Sequence, residues 1–189
     1  MAIRKDVDDI KKEVLINEAD LKNRINELGK DITDYYKNKT DQKELIIVCI
    51  LRGGFLFIAD LARKIKLPLT VDFMDVSSYE GTTSTGNVRI IKDLEETIED
   101  KHVLLIEDII DTGRTISHIA NILETRNPAS IKICTLLNKP ERRVKKHIEV
   151  DWNGFDIPDK FVVGYGLDYK QKYRNVPYIF VPKAELYQD

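Results

Sequence analysis

The sequence predicts an α/β fold, a mainly parallel and twisted sheet flanked by helices. Three observations carry this. Segments 45–51 (LIIVCIL) and 103–106 (VLLI) are apolar at every position rather than at every second one, the mark of strands covered on both faces. Such strands alternate with stretches of helical spacing, as in a sheet assembled from βαβ units. Chemically loaded segments (52–54, 107–115 and 138–139) fall directly behind strands, where open α/β sheets bind ligands.

In chain order, residues 1–16 are charged, with an apolar tail at Val14, Leu15 and Ile16. Asn17 reads as a helix N-cap with Asp20 three residues on. Leu21, Ile25, Leu28, Ile32 and Tyr35 then form one helical face that ends near Lys39. Segment 45–51 is the first core strand, Arg52-Gly53-Gly54 breaks it, and 55–66 returns to helical spacing. Strand 69–76 precedes a loop at 77–87 (SSYEGTTSTGN), whose hydroxyls and glycines mark a functional or mobile segment. A short strand at 88–92, a strand at 103–106, a helix at 115–126 and a strand at 131–137 follow, with late strands at 161–164 and 178–181.

A length of 189 residues suits one domain over 1–189 with a substantial core and room for a small subdomain. A net charge of −2 offers nothing to a nucleic-acid backbone, and no apolar run approaches the ~20 residues of a membrane span. The charged N-terminus is unlike a secretory signal, so the expected location is cytoplasmic. Cys49 and Cys134 lie within apolar runs and read as buried thiols, and His102, His118 and His147 are too scattered for a zinc site. The basic run 139–147 (KPERRVKKH) reads as a solvated loop.

The most telling segment is 103–115, VLLIEDIIDTGRT. A strand leads into Glu107 and Asp108, then to Asp111 and a Thr112-Gly113-Arg114-Thr115 helix start, so one strand-to-helix turn is expected to hold three carboxylates. Carboxylates suit sugar hydroxyls or a hard metal ion, and the amides of a helix start suit a phosphate. A sugar phosphate would satisfy both halves.

This segment resembles the phosphoribosyl pyrophosphate motif of type I phosphoribosyltransferases. The resemblance extends from about residue 14 to 181 and implies that family's fold, with a core at about 40–140. A small hood would come from the N-terminal segment and about 150–189, and the 77–87 loop would be a flexible lid. It implies that Glu107 and Asp108 bind the ribose hydroxyls, that Asp111 serves as acid/base beside the purine, with Ile110 also at the base, and that residues Asp111 to Thr115 wrap the 5′-phosphate. Arg52 and Gly53 resemble the pyrophosphate loop, where the Leu51–Arg52 peptide would be cis; many relatives carry Lys at position 52. Ser78 and Tyr79 resemble the start of the catalytic lid. Lys139 matches the lysine that donates to O6 of a 6-oxopurine. Segment 161–168 (FVVGYGLD), preceded by 154–160 (GFDIPDK), resembles the purine-binding strand of the hypoxanthine-guanine branch. By that match Phe161 stacks on the base, the Val162 backbone pairs with its edge, Asp168 reaches Mg²⁺ through water, and Arg174 contacts pyrophosphate.

The resemblance therefore implies transfer of a 5-phosphoribosyl group from phosphoribosyl pyrophosphate to N9 of hypoxanthine or guanine, with Mg²⁺ as cofactor. Glu107, Asp108 and Asp168 would be the metal-facing carboxylates, and the protein would be a homodimer or homotetramer with no nucleic-acid or membrane partner. Two alternatives stay open: a phosphoribosyltransferase for another base, xanthine above all, and a regulatory nucleotide- or RNA-binding protein of the same fold. The basic run 139–147 is the only local support for the second.

Overall fold

The computed structural model describes residues 6–39, 41–78, 88–145 and 148–187. Its elements are α1 (Val7–Ile10), β1 (Lys11–Ile16), α2 (Glu18–Lys37), β2 (Leu45–Leu51), α3 (Phe55–Ala62), β3 (Thr70–Ser78), β4 (Val88–Lys92), β5 (His102–Ile110), α4 (Arg114–Glu124), β6 (Ser130–Asn138), β7 (Trp152–Asp156) and β8 (Ile179–Pro182), with 3-10 turns at Pro140–Arg142 and Ala184–Leu186. Six strands form one sheet in the order β4-β3-β2-β5-β6-β7. Its neighbours are parallel except β4, which runs antiparallel to β3. A separate two-stranded sheet pairs β1 with β8.

The all-apolar strands are buried on both faces, as the pattern requires. Ile47, Cys49, Leu104 and Ile106 pack with Leu21, Ile25, Leu28 and Ile32 of α2 and Phe57 and Leu61 of α3. The intervening Ile46, Val48, Ile50, Val103 and Leu105 pack with Ile116, Ile119 and Leu123 of α4. Successive side chains of one strand thus enter two different cores. Helix α2 begins as read: the Asn17 side chain accepts from the Asp20 amide at 2.8 Å. Near its end Tyr36 is buried while Tyr35 is only half-buried, because the 3.6-residue period has turned the stripe by then.

Two strands were not foreseen and two assignments need correction. Residues 11–16 are a strand despite their charges, because β8 supplies backbone partners while Lys12, Glu13 and Val14 stay exposed. Residues 152–156 form β7 at the sheet edge. Residues 161–164 are not a strand: Val163 makes a single bridge to Phe180, and positive φ at Gly164, Tyr165 and Gly166 then turns the chain away. Finally, β5 does not stop at Ile106 but continues to Ile110, opposite Asn138 on β6. Glu107 and Asp108 are therefore strand residues, and only Asp111 lies in the turn.

Candidate active site

The carboxyl ends of β2, β5 and β6 converge on one face, and the segments singled out in the sequence lie along it. Behind β5, residues 111–115 form a cradle. Gly113 has φ +77°, a left-handed conformation that a side chain strains, and α4 starts directly after it. Glu107, Ile110, Asp111, Thr112, Gly113, Arg114 and Thr115 line a recess of about 90 Å³ here, a setting that suits a phosphate at a helix start.

Next to it lies a cavity of about 280 Å³ lined by Arg52, Gly53, Val76, Glu107, Asp108, Thr115, Asp168 and Arg174, among others. Glu107 is buried, and its carboxyl is pushed well above the usual carboxylate range, first by burial and then by the charge of Asp108 beside it. Burial raises Asp108 as well, and this is opposed in part by its bonds to Glu107 and to the Ile109 amide, at 2.7 Å, and by the Arg174 charge. The Leu51–Arg52 peptide is cis. A Cβ on Gly53 would coincide with the Asp108 carboxylate, so only glycine lets this loop lie against β5. Arg52 reaches the Gln171 side chain at 3.5 Å. Arg174 pairs with Asp168 at 2.7 Å and donates to the Gly166 carbonyl at 2.7 Å. The 164–174 segment is thereby held over the 52–54 loop, with Gly166 against the Gly53 carbonyl.

Asp111 and Lys139 end neighbouring strands. The Lys139 amide donates to the Ile110 carbonyl at 2.9 Å, which sets the two residues side by side. The Lys139 side chain is buried, with its Nζ 3.4 Å from Asp159. Arg142 bonds Asp111 at 2.5 Å and Asp159 at 3.2 Å. Phe161 is exposed on one side and packs against Tyr187, with ring centroids 4.9 Å apart, while Val162 is buried. Ser78 is the last residue of β3, and Tyr79, with the rest of the expected lid to residue 87, lies outside the described residues.

The sequence reading missed Arg142, Asp159 and Gln171. Asp159 sits inside the GFDIPDK segment without an assigned role. Arg142 belongs to the basic run read as solvated loop. The first part of that run instead folds back on the site: Val144 and Lys145 donate to the Thr112 carbonyl at 3.0 and 3.1 Å, and Arg143 bonds Asn138 at 3.0 Å. Carboxylates and carbonyls of the 111–115 turn draw it in, which no local pattern reveals.

A larger cavity of about 550 Å³ opens at the opposite end of the sheet, beside Lys43, Glu44 and His102. There Lys43 pairs with Asp100, Lys101 with Glu44 and His102 with Asp41. Its charges are largely matched, and it lies at the amino ends of the strands, away from the ligand face of such sheets. The segments singled out in the sequence line the smaller cavities instead.

The chain is similar to known proteins over most of its length. The family model of the phosphoribosyl transferase domain matches residues 17–170. The chain is 54% identical over 167 residues to a hypoxanthine phosphoribosyltransferase of Buchnera aphidicola, covering 88% of this chain and 93% of that one. It is 51% identical over 177 residues to a hypoxanthine-guanine phosphoribosyltransferase of Staphylococcus epidermidis, covering 93% and 96%. A crystal structure of a hypoxanthine phosphoribosyltransferase from Staphylococcus aureus superposes with a TM-score of 0.91 at 48% identity, over 99% of this chain and 100% of that one. With its strand-end carboxylates, phosphate-sized cradle and mainly parallel sheet, this chain belongs to the phosphoribosyltransferase family and has the type I fold.

Proposed function

We propose that this protein is a purine-salvage hypoxanthine-guanine phosphoribosyltransferase that joins N9 of a 6-oxopurine to C1 of phosphoribosyl pyrophosphate and releases pyrophosphate. The observation that carries the base assignment is the placement of Asp111 and Lys139 directly after the paired strand ends Ile110 and Asn138, with the Lys139 amide bonded to the Ile110 carbonyl. A 6-oxopurine presents N7 and O6 as neighbours on one edge, and a carboxylate beside an ammonium matches that edge. An adenine places an amino group where Lys139 offers only donors, so the pair disfavours it.

Residues 111–115 hold the 5′-phosphate. Arg52, Gly53, Ser78, Tyr79 and Arg174 hold the pyrophosphate. Glu107 and Asp108 hold the ribose hydroxyls and stabilise the positive charge that develops on the ribosyl carbon as the pyrophosphate leaves. Asp111 accepts the proton from N7, and Lys139 donates to O6. Phe161 supplies a ring face for the base and the Val162 backbone its edge. The β1–β8 sheet with the 161–178 segment serves as the hood. The donor set suits Mg²⁺, since these are hard oxygens and the buried Glu107 carboxylate gains from a nearby cation. Among the described residues no three acidic, histidine or cysteine groups converge to hold a metal by themselves; Glu107, Asp108 and Asp168 would hold Mg²⁺ together with the substrate. When bound, the ion neutralises charge on the leaving pyrophosphate.

Among the described residues no helix is long and apolar enough to cross a membrane. Cys49 and Cys134 are free and buried, which suits a cytoplasmic protein. By resemblance to the family, the reading includes a homodimer or homotetramer. Initial rates with phosphoribosyl pyrophosphate and a panel of hypoxanthine, guanine, xanthine and adenine test the reading, with Mg²⁺ and with chelator. Transfer to hypoxanthine and guanine that is lost in chelator is the expected result; a preference for xanthine or adenine would replace the base assignment.

A further inference from the structure

We propose that Arg142 and Asp159 are positioning residues that exchange partners when the base arrives. Each now holds the other as well as Asp111 or Lys139; on base binding they keep only each other and release both. The inference rests on the roles given above to Asp111 and Lys139.

Four side chains form a chain of alternating charge. Lys139 Nζ lies 3.4 Å from Asp159 Oδ1. Arg142 Nη1 donates to both oxygens of the same carboxylate, at 3.3 and 3.2 Å, and Arg142 Nε donates to Asp111 Oδ1 at 2.5 Å. The Lys139 ammonium is the most buried member, with its side chain 9% exposed against 45% for Asp159. The sum of the four charges is zero, so no member of this cluster is left without a counter-charge.

Catalysis needs this arrangement to change. Arg142 Nε occupies an Asp111 oxygen that the base would need, so Asp111 can turn that oxygen to N7 only once Arg142 has left it. Lys139 can direct its full charge to O6 only when Asp159 no longer competes. Arg142 already touches both Asp159 oxygens, and its flat fork matches a carboxylate. When the base draws Asp111 and Lys139 away, Arg142 and Asp159 are left as a matched pair and no charge is stranded. The 3-10 turn at Pro140–Arg142 places this arginine one turn beyond Lys139, so both ends of the exchange hang from one short segment.

The two members are therefore expected to fail in different ways. Removing Arg142 leaves Asp159 to grip Lys139 alone, so Arg142→Gln raises KM for hypoxanthine roughly tenfold with kcat little changed. Removing Asp159 leaves Arg142 on Asp111, so Asp159→Asn lowers kcat roughly tenfold. In the double variant neither competitor remains, and kcat/KM returns to within about threefold of wild type. KM for phosphoribosyl pyrophosphate stays unchanged throughout. If Arg142→Gln does not fold, Arg142→Lys, which keeps the charge and loses the fork, is read for the same rise in KM.

The test is steady-state transfer to hypoxanthine at saturating phosphoribosyl pyrophosphate and Mg²⁺. Single variants indistinguishable from wild type, or losses that simply add in the double variant, overturn the exchange. A wild-type protein that transfers nothing to hypoxanthine overturns the functional reading instead.

Discussion

Two halves of one acidic segment handle charge in opposite ways. Glu107 and Asp108 end a buried strand with carboxyls raised by burial, and Glu107 has no ion-pair partner among the described residues. Three residues later Asp111 is half-exposed and already paired with Arg142. The difference teaches what each half waits for. The strand pair carries a burial and charge cost only partly offset by its neighbours, one that a cation and sugar hydroxyls can answer. The turn acid is already paired with Arg142 and, on the proposed exchange, trades that partner for the base. Sequence spacing makes the three acids look alike; burial separates them.

The largest expected effect breaks the turn half of this comparison. Asp111→Asn keeps size and removes the proton acceptor, so kcat should fall by ~10²–10⁴-fold while nucleotide affinity changes little. Initial rates at saturating substrates, beside a titration with the nucleotide product, check both parts. Unchanged turnover would move proton acceptance elsewhere.

Lys139→Met comes next. A charged donor to a buried acceptor is worth roughly 1.5–3 kcal/mol, so affinity for hypoxanthine and guanine should fall together by about ten- to a hundredfold. Binding measured calorimetrically with the nucleotide products reads this directly. Equal affinities for wild type and variant would return Lys139 to a structural role.

The strand half is sharpened by a gain rather than a loss. Glu107→Gln removes a carboxylate that ionises at a cost in the folded protein, so the ligand-free variant should be more stable at neutral pH by roughly 1–3 kcal/mol. The sign follows from linkage. The folded value lies above the unfolded one, so wild type loses stability as pH rises from the unfolded value of about 4.3 through the folded one, and keeps that deficit above it. The advantage of the variant should be absent near pH 3 and grow with pH in denaturant melts. The same variant should bind phosphoribosyl pyrophosphate more weakly. Equal stability of the two proteins at every pH would mean that Glu107 carries no burial cost.

The smallest effect marks a region remote from both halves. Asn17→Ala removes the cap of α2 and should cost ~1 kcal/mol, seen in the melting temperature, with kcat and both KM values unchanged.

Much of this molecule was legible in one dimension. The all-apolar runs 45–51 and 103–106 determined a sheet buried on both faces, since no other placement hides every side chain of such a strand. Asn17 marked a helix start because a side-chain acceptor meets an amide only three residues away. Segment 103–115 marked its own cradle, because strand, acids and glycine turn are contiguous and their geometry is local.

What the sequence left to the tertiary structure was decided by distant partners. Strand β1 exists because β8, more than 160 residues later, offers backbone hydrogen bonds to a charged segment. Residues 161–164 looked like a strand by composition, but three positive φ values in a row bend them away after one bridge. Gly53 is required because Asp108, on another strand, occupies the place of its side chain. Arg142 looked like one cation in a solvated run until Asp111 and Asp159 were brought against it from two other segments. Periodicity and capping act within a few residues and are written into the chain in order. Ion pairs, strand partners and the unequal burial of Glu107 and Asp111 depend on which remote segments the fold brings together, and only the folded molecule settles them.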